Sequence, residues 1–538
     1  MESEDNEIDL LANTKLTYSQ VFDLATSKTS DENSATLQNQ SIWKILILDE
    51  LSSLSLTTLI HISSLRKHNI TLYLSLNSQR EPLASAIAIY LIEPTEINIQ
   101  QLIRDMTNRL YDAYQIDFLY HPSQEIIQML RKGLSDATIR SKLLKMCVFH
   151  LNYIVLEEKL FCLNGPSFED LYFSSENWSL YEKIAMGLFS ILKTCKIRPI
   201  IKATKGMSQQ VASSLARLCW DDHEEIHSLS RPLLLIVDRK IDFSVMLHHP
   251  WTYQALASDV FEYESNKLLL SGEPALLYEL DKTRDKFWKL QGDLPFNDIL
   301  GNIEQSVSDW KEKYDAIDKN FKETIGDVAE ITEEKKILDT HMSIASRLVN
   351  EVHARNLHNF SQNEAYLMHG QTPADEEFLK NQSENDTEEF KQDLLRYEII
   401  KFLHGKKENI SEENILRFLE STREEVKQTT KMKLITGLAK KLKDNLMGHE
   451  QWFPITKFLY QAMKNTGTEL ETYDSMEEKG GGYKREFNEA ILFVIGGGSY
   501  TEYCNLNHFS KEFNKTVIYG STEIYSPNKF LEQLKKAK

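Results

Sequence analysis

The sequence predicts an α/β protein built on two doubly wound parallel sheets, with a large, mainly helical segment inserted into the second. Three observations lead there. First, Leu233 to Val237 is an unbroken apolar run bounded by Pro232 and Asp238, the pattern of a strand buried on both faces of a parallel sheet. Second, strand-like and helix-like segments alternate from Trp43 and again from Leu160, the sequence signature of βα units. Third, that alternation stops after Val260 and returns only at Ala490 to Ile495, followed by Gly496-Gly-Gly498. A C-terminal piece so short cannot fold alone and should complete the second sheet.

Taken in order, residues 1–40 are polar and rich in Ser, Asn and Thr, and are expected as a mobile tail with at most a short helix around Tyr18 to Leu24. Strands are expected at Trp43 to Leu48, Ile70 to Leu76, Ile87 to Ile92 and Gln115 to Tyr120, with helices at Leu51 to Arg66 and Glu96 to Tyr111. None of these strand-to-helix turns is glycine-rich, so a phosphate cradle is not signalled. Residues 123–150 read as two short helices. Their apolar positions Ile126, Ile127, Leu130 and Leu134, then Ile139, Leu143, Met146 and Cys147, recur at three and four residues. Each stripe needs a partner, and the neighbouring sheet is the plainest one.

The second run gives a strand at Leu160 to Leu163, a helix at Trp178 to Leu192, a strand at Pro199 to Ala203, a helix at Gln209 to Cys219 and the strand at Leu233. After it come Asp238, Arg239, Asp242, His248 and His249. Carboxyl ends of parallel strands face the crevice where ligands sit, so these groups invite a catalytic or metal reading. Their spacing matches no recognised metal motif. The alternative is that Asp238 and Asp242 accept backbone N–H groups of the turn, while Pro250, Trp251 and Tyr253 open the next helix.

Beyond Val260 the pattern is helical. Ile303, Val307, Trp310, Tyr314, Ile317 and Phe321 form a near-heptad seam, and Leu338, His341, Ala345, Leu348 and Val352, flanked by Ile337, Ile344 and Val349, form a second. A turn near Gly326-Asp327 makes this a helical hairpin over residues 303–358. The second apolar face is wider than one antiparallel neighbour covers, and either a helical partner or other helices of the same domain could cover the remainder. Residues 372–389 and 464–485 read as acidic or glycine-rich connectors. After Ala490 to Ile495, a helix from Tyr500, a strand at Thr516 to Tyr519 and a helix at Asn528 to Lys535 close the chain. The resulting partition is a tail (1–40), a first α/β domain (41–150), a discontinuous second (151–255 with 486–538) and a mainly helical third (256–485).

Composition narrows the function. With 62 basic and 80 acidic side chains the net charge is -18, which disfavours nucleic acid and anionic membranes and tolerates basic partners. The five cysteines are scattered without paired spacing, so neither a zinc site nor a disulfide framework is expected, and a reducing, cytosolic setting is. No segment approaches the ~18 apolar residues of a membrane span. Gly496 to Gly498 follows a strand but lacks both the dinucleotide and the P-loop pattern. Three glycines that let a strand turn tightly into a helix explain it better. Neither a catalytic constellation nor a cofactor motif is present.

Two long runs carry a resemblance: Arg231-Pro-Leu-Leu-Leu-Ile-Val-Asp-Arg-Lys-Ile-Asp242 with Leu247-His-His-Pro-Trp-Thr-Tyr-Gln-Ala-Leu256, and Ala490-Ile-Leu-Phe-Val-Ile-Gly-Gly-Gly-Ser-Tyr-Thr-Glu-Tyr503. Shorter matches are Gln79-Arg-Glu-Pro-Leu83, Leu151-Asn-Tyr-Ile-Val-Leu-Glu-Glu158, Lys335-Lys-Ile-Leu-Asp339 and Val517-Ile-Tyr-Gly520. Together they resemble the SM (Sec-one/Munc-eighteen) vesicle-fusion proteins over residues 43–538, and within them the SLY branch of transport between endoplasmic reticulum and Golgi.

The resemblance implies an arch-shaped, three-domain protein that holds a syntaxin-type Qa-SNARE and helps it assemble with its R, Qb and Qc partners, without catalysis. It implies that a syntaxin N-terminal peptide docks in an apolar pocket on the outer face of the first domain, here Leu130, Leu134, Ile139, Leu143, Met146 and Cys147. It further implies that the hairpin aligns SNARE helices, here along Ile337, Leu338, His341, Ile344, Ala345, Leu348 and Val352. The branch usually carries a long loop at the hairpin tip. Here only about Gly326 to Glu333 separates the helices, which puts autoinhibition by that loop in doubt. Competing readings are a vesicle-tethering adaptor, with tethering complexes as partners, and a nucleotide- or metal-dependent α/β enzyme using Asp238, Asp242, His248 and Gly496 to Gly498.

Overall fold

The structure, a computed structural model, describes residues 8–23, 43–173, 178–222, 231–270, 275–319, 325–373, 387–404, 452–466, 470–473 and 486–536. The first sheet consists of β1 (Trp43–Leu48), β2 (Ile70–Ser75), β3 (Leu83–Ile92), β4 (Tyr111–Phe118) and β5 (Leu143–Val148) in the order β2-β1-β3-β4-β5, with every pairing parallel. Helices Glu96–Thr107 and Gln124–Gly133 cover one face, burying Ile99, Leu102, Ile126 and Leu130 against Ile89's neighbours Ala88 and Tyr90. The opposite face shares one continuous core with the second sheet, through Leu46, Leu48, Leu151, Ile154 and Leu235.

β5 replaces the second of the two helices expected over residues 123–150. Only Ala137–Arg140 is helical there, and Ser141 and Lys142 then turn the chain into a strand. A three-and-four spacing of apolar residues cannot distinguish a short helix from a strand carrying a bulge. The register of β5 against β4 shifts between Tyr114 and Gln115, which supplies that irregularity.

The second sheet runs β13-β8-β9-β14-β15-β7-β6. Its strands are β6 (Ile154–Glu157), β7 (Leu160–Cys162), β8 (Ile200–Ala203), β9 (Leu233–Asp238), β13 (Glu471–Tyr473), β14 (Glu489–Ile495) and β15 (Thr516–Ser521). β9 is buried along its whole length and sits parallel to β14, Leu235 beside Leu492, and β14 sits parallel to β15, Leu492 beside Tyr519. The C-terminal strands thus complete this sheet, as their isolated α/β pattern required. β13 lies within a stretch expected as connector and pairs antiparallel with β8 at the sheet edge.

The long intervening segment is not all helix. β10 (Glu262–Glu264), β11 (Lys267–Leu270) and β12 (Leu276–Glu279) form an antiparallel meander. Ser265 and Asn266, both at positive φ (49° and 62°), make the two-residue turn that pairs Glu264 with Lys267, the backbone twist a tight hairpin needs. Helices Phe296–Lys319 and Ile325–Ala354 then form the hairpin, followed by Leu357–Met368, Glu388–His404 and Pro454–Met463. The second hairpin helix begins at Ile325, ahead of the expected turn at Gly326-Asp327. Residues 320–324 between the helices, and with them Phe321, lie outside the described residues, as do 405–451 and 24–42.

The expected polar tail contains a packed helix, Leu10–Asp23, which buries Leu10, Thr14, Tyr18, Val21 and Phe22. Its last carbonyls, those of Val21 and Phe22, accept hydrogen bonds from Gln115 Nε2 (3.0 Å) and the buried Lys44 Nζ (2.7 Å) of the first sheet. Tyr18 Oη donates to Ser55 Oγ at 2.9 Å, and the backbone N–H of Ile8 donates to Glu489 of β14. The helix therefore bridges both sheets. Its stripe at i, i+4, i+8 and i+12 is present in the sequence, but polar flanks on both sides hide it.

Candidate functional sites

The turn after β9 places Asp238, Arg239 and Asp242 at the carboxyl end of the second sheet, where a ligand crevice is expected. The structure fills that crevice with protein. Asp238 Oδ1 caps the turn by accepting from Lys240 N and also takes the Tyr172 hydroxyl, and Asp242 Oδ1 accepts from Ser244 N at 2.9 Å. Arg239 lies wholly buried in a bidentate pair with Glu502. The glycine loop receives three tyrosine rings. A Cβ on Gly496 would stand 2.7 Å from Tyr172 and one on Gly497 2.5 Å from Tyr525, while one on Gly498 would collide with Tyr519. The glycines make room for aromatic rings, and Gly496 and Gly497 hold φ at +99° and +109°.

His248 and His249 converge on Glu364 of helix Leu357–Met368. Among the described residues, no group of three or more His, Cys, Asp or Glu side chains has the arrangement of a metal site, and no helix is long and apolar enough to cross a membrane.

On the outer face of the first sheet, five of the six predicted pocket residues share a side and one does not. In a parallel pair, laterally matched residues point to the same face. Leu143 and Met146 lie beside Tyr114 and Ile116, whose side chains belong to the core under helices Glu96–Thr107 and Gln124–Gly133. Leu130, Leu134 and Ile139 pack against that same core. Cys147 lies beside Asp117 on the opposite face and leaves the set. Leu130 and Leu134 are themselves buried, at 4% and 7% exposure, so they form the floor under the helix and not an open wall. The accessible apolar surface on that face is Met146 at 41%, with Ile139 and Leu143 half-buried, and Leu144, unpaired at the register shift, is 50% exposed. Sequence reasoning missed Leu144, because a helical reading of residues 137–148 points it away from the stripe. Arg131 and Lys132 in the last turn of helix Gln124–Gly133 and Arg140 at the end of Ala137–Arg140 are exposed, as are Glu125 and Asp136 of the same segments.

The hairpin overturns the expectation of an uncovered seam. Leu338, His341, Ile344, Ala345, Leu348 and Val352 are buried in one core with Tyr253, Leu256, Leu268, Trp288, Phe296 and Ile303, and Ile337 is half-buried against it. Elements of the same region cover the wide face, including the β10–β12 meander that periodicity did not reveal. His341 is held by both ring nitrogens, Nδ1 against the Tyr253 hydroxyl and Nε2 against Asp285 Oδ2, each at 2.9 Å. Asp285 Oδ1 also caps helix Lys286–Gln291 at Trp288 N. Trp310 and Tyr314 stack with centroids 5.4 Å apart, the Trp310 indole donates to Ile331 O, and Lys335 lies over the indole. Tyr314 and Met342 are about half exposed.

The Sec1 family model matches residues 44–533. Among curated relatives, the SEC1 family transport protein SLY1 of Arabidopsis thaliana is 27% identical, covering 93% of this chain and 93% of its own. Protein SLY1 of Saccharomyces cerevisiae is 25% identical, covering 93% and 91%. Among solved structures, Sly1p in complex with an N-terminal peptide of Sed5p aligns with a TM-score of 0.81 at 23% identity over 99% of both chains. Vps45 in complex with the Qa SNARE Tlg2 aligns at 0.78 and 19% identity over 98% of both.

Proposed function

The chain belongs to the Sec1 family, and on that premise we propose that it is a SNARE-binding regulator of vesicle docking and fusion in transport between endoplasmic reticulum and Golgi. The observation that carries this reading is the family match over residues 44–533, joined by SLY1 relatives that align along more than nine-tenths of the chain. One of those relatives is named a transport protein, and a structural neighbour is a complex with a Sed5p N-terminal peptide.

In this reading a Qa-SNARE of the Golgi or endoplasmic reticulum docks its N-terminal peptide on the first α/β domain (41–150). The contact is the strip of Ile139, Leu143, Leu144 and Met146, with Leu130 and Leu134 as its floor. Apolar anchors in such a groove gain affinity by desolvation. The hairpin of the helical domain (256–485) aligns SNARE helices along its exposed face, around Tyr314 towards the tip and Met342 beside the buried His341. Its buried seam from Leu338 to Val352 keeps the rod stiff. Nucleating a helical bundle costs conformational entropy, and a surface that pre-aligns the helices lowers that cost without making or breaking a bond. The R-SNARE and tethering complexes complete the set of partners, and the protein reaches Golgi and reticulum membranes from the cytoplasm through them.

The test is calorimetric titration with N-terminal peptides of the host's syntaxins, Golgi and plasma-membrane types side by side. Selective binding of the Golgi type is the expected result. Failure of every peptide to bind would remove the first-domain site and leave the hairpin as the SNARE contact.

A further inference from the structure

The histidine pair of the 248–249 motif takes no part in that reading, and its surroundings are unusual. His249 is buried with both ring nitrogens on carboxylates, Nδ1 at 2.7 Å from Glu364 Oε1 and Nε2 at 3.1 Å from Asp393 Oδ1. A neutral imidazole has one N–H and one lone pair, so in this position the lone pair would face a carboxylate oxygen. With Glu364 and Asp393 both ionised, only the doubly protonated ring satisfies both contacts.

The rest of the cluster balances that charge. Glu364 Oε2 also accepts from His249 N at 2.7 Å and from His248 Nδ1 at 2.9 Å. Asp393 is clamped by Arg355 through Nε (2.8 Å) and Nη2 (2.7 Å). Arg396 pairs bidentately with Asp259 at 2.9 and 2.8 Å, touches Asp393 at 3.4 Å and donates to the carbonyls of Leu247 and His248. The acids Asp259, Glu364 and Asp393 are thus matched by Arg355, Arg396 and an imidazolium at His249. The members come from the segment leaving β9, from helices Tyr253–Val260, Leu357–Met368 and Glu388–His404, and from Arg355 at the foot of the hairpin helix Ile325–Ala354.

We propose that His249 is a permanent imidazolium that serves as a charge latch, fastening the base of the hairpin to the second sheet through Glu364, Asp393 and Arg355. The latch is a conformational device. With the charge in place, the hairpin foot and the strand end move as one body. Without it, two buried carboxylates lose their shared partner and the hairpin is released at its root. Burial and Arg396 act against the charge on His249, but Glu364 and Asp393 outweigh them and raise its pKa, while Glu364 is held down at about 2 despite its burial, by His249 and His248.

The test uses the full chain. Nitrogen-15 shifts of the His249 ring should report both nitrogens protonated at pH 7.5, and a neutral tautomer there would overturn the latch. In hydrogen exchange, His249→Gln should speed exchange in residues 345–354 and 357–368 at least tenfold. Adding Glu364→Gln, which restores neutrality, should bring it back to within about threefold. Equal exchange in the single and double variants would mean that packing, not charge, holds the hairpin foot. If His249→Gln does not fold, Glu364→Gln alone should lower the titration midpoint of His249 by at least one pH unit, and an unmoved midpoint would overturn the proposal.

Discussion

Arg239 and Glu502, 263 residues apart in sequence, form a bidentate ion pair with neither side chain accessible to solvent, Nη1 to Oε2 at 2.8 Å and Nη2 to Oε1 at 2.7 Å. Arg239 follows β9 and Glu502 sits in the first turn of helix Tyr500–Phe513, whose Ser499 cap fixes its direction. The pair therefore ties the two separate stretches of chain that build the second sheet. Glu502 also accepts the Tyr519 hydroxyl from β15, so three elements share one carboxylate. Removing one member leaves a buried, unpaired charge, at a cost of about 3–5 kcal/mol. Glu502→Gln should lower stability by that amount in urea unfolding, whereas Arg239→Met with Glu502→Leu should recover most of it. A double variant no better than the single one would mean that the pair's geometry, and not its desolvation, matters most.

The tyrosine-filled glycine loop separates the structural from the nucleotide reading. Gly497→Ala places a methyl group against the Tyr525 ring at a positive φ and should cost about 1–3 kcal/mol through overpacking, seen as a lower unfolding midpoint. ATP with magnesium should leave the midpoint of both proteins unchanged, because only a ligand that binds the native state raises it. A rise on adding ATP would restore the nucleotide-binding alternative.

His404 gives acid sensitivity a specific source. Its Nε2 meets Ser244 Oγ at 2.6 Å, and burial together with the charge of His369 lowers its pKa to about 4. The unfolded chain takes up that proton near the ordinary value of 6.5, so the native state binds fewer protons between these limits. Stability from this site is present above pH 6.5 and is lost as pH falls towards 4. Glu93 and Asp117, both pushed up to about 7 chiefly by burial, act with the opposite sign. The readout is therefore the difference between the chain and His404→Gln, which should shrink as pH falls from 6.5 to 4. A constant difference would exclude the titration of His404.

How much of this was legible in the sequence depends on where each residue's partner lies. β9 and β14 were legible because strands buried on both faces are apolar throughout, with no alternation to misread. β5 was not, because a bulged edge strand with one exposed face imitates a helical stripe over six residues. The helix Leu10–Asp23 was hidden by polar neighbours, and its stability comes from Gln115, Lys44 and Ser55, far away in sequence. The hairpin seam was read correctly as apolar, with its cover left open between a helical partner and other helices of the same domain. Periodicity gives the width of a face and not its cover, and here the cover includes a meander whose strands are three or four residues long.

The same distinction decides which substitutions report on peptide docking. Leu134 is 7% exposed and Leu348 wholly buried, so Leu134→Lys or Leu348→Asp would force a charge into the core and unfold its surroundings. Loss of binding in such variants would say nothing about contact. Met146 is the discriminating position, since it lies on the helix-bearing face of β5, beside Ile116, and is 41% exposed. Met146→Lys should leave the unfolding midpoint within about 0.5 kcal/mol of the parent, as surface changes do, and should weaken a bound syntaxin N-terminal peptide at least tenfold. Cys147→Ser, on the opposite face of the same strand, should leave affinity unchanged. If Met146→Lys binds normally and Cys147→Ser does not, the peptide occupies the other side of the sheet edge.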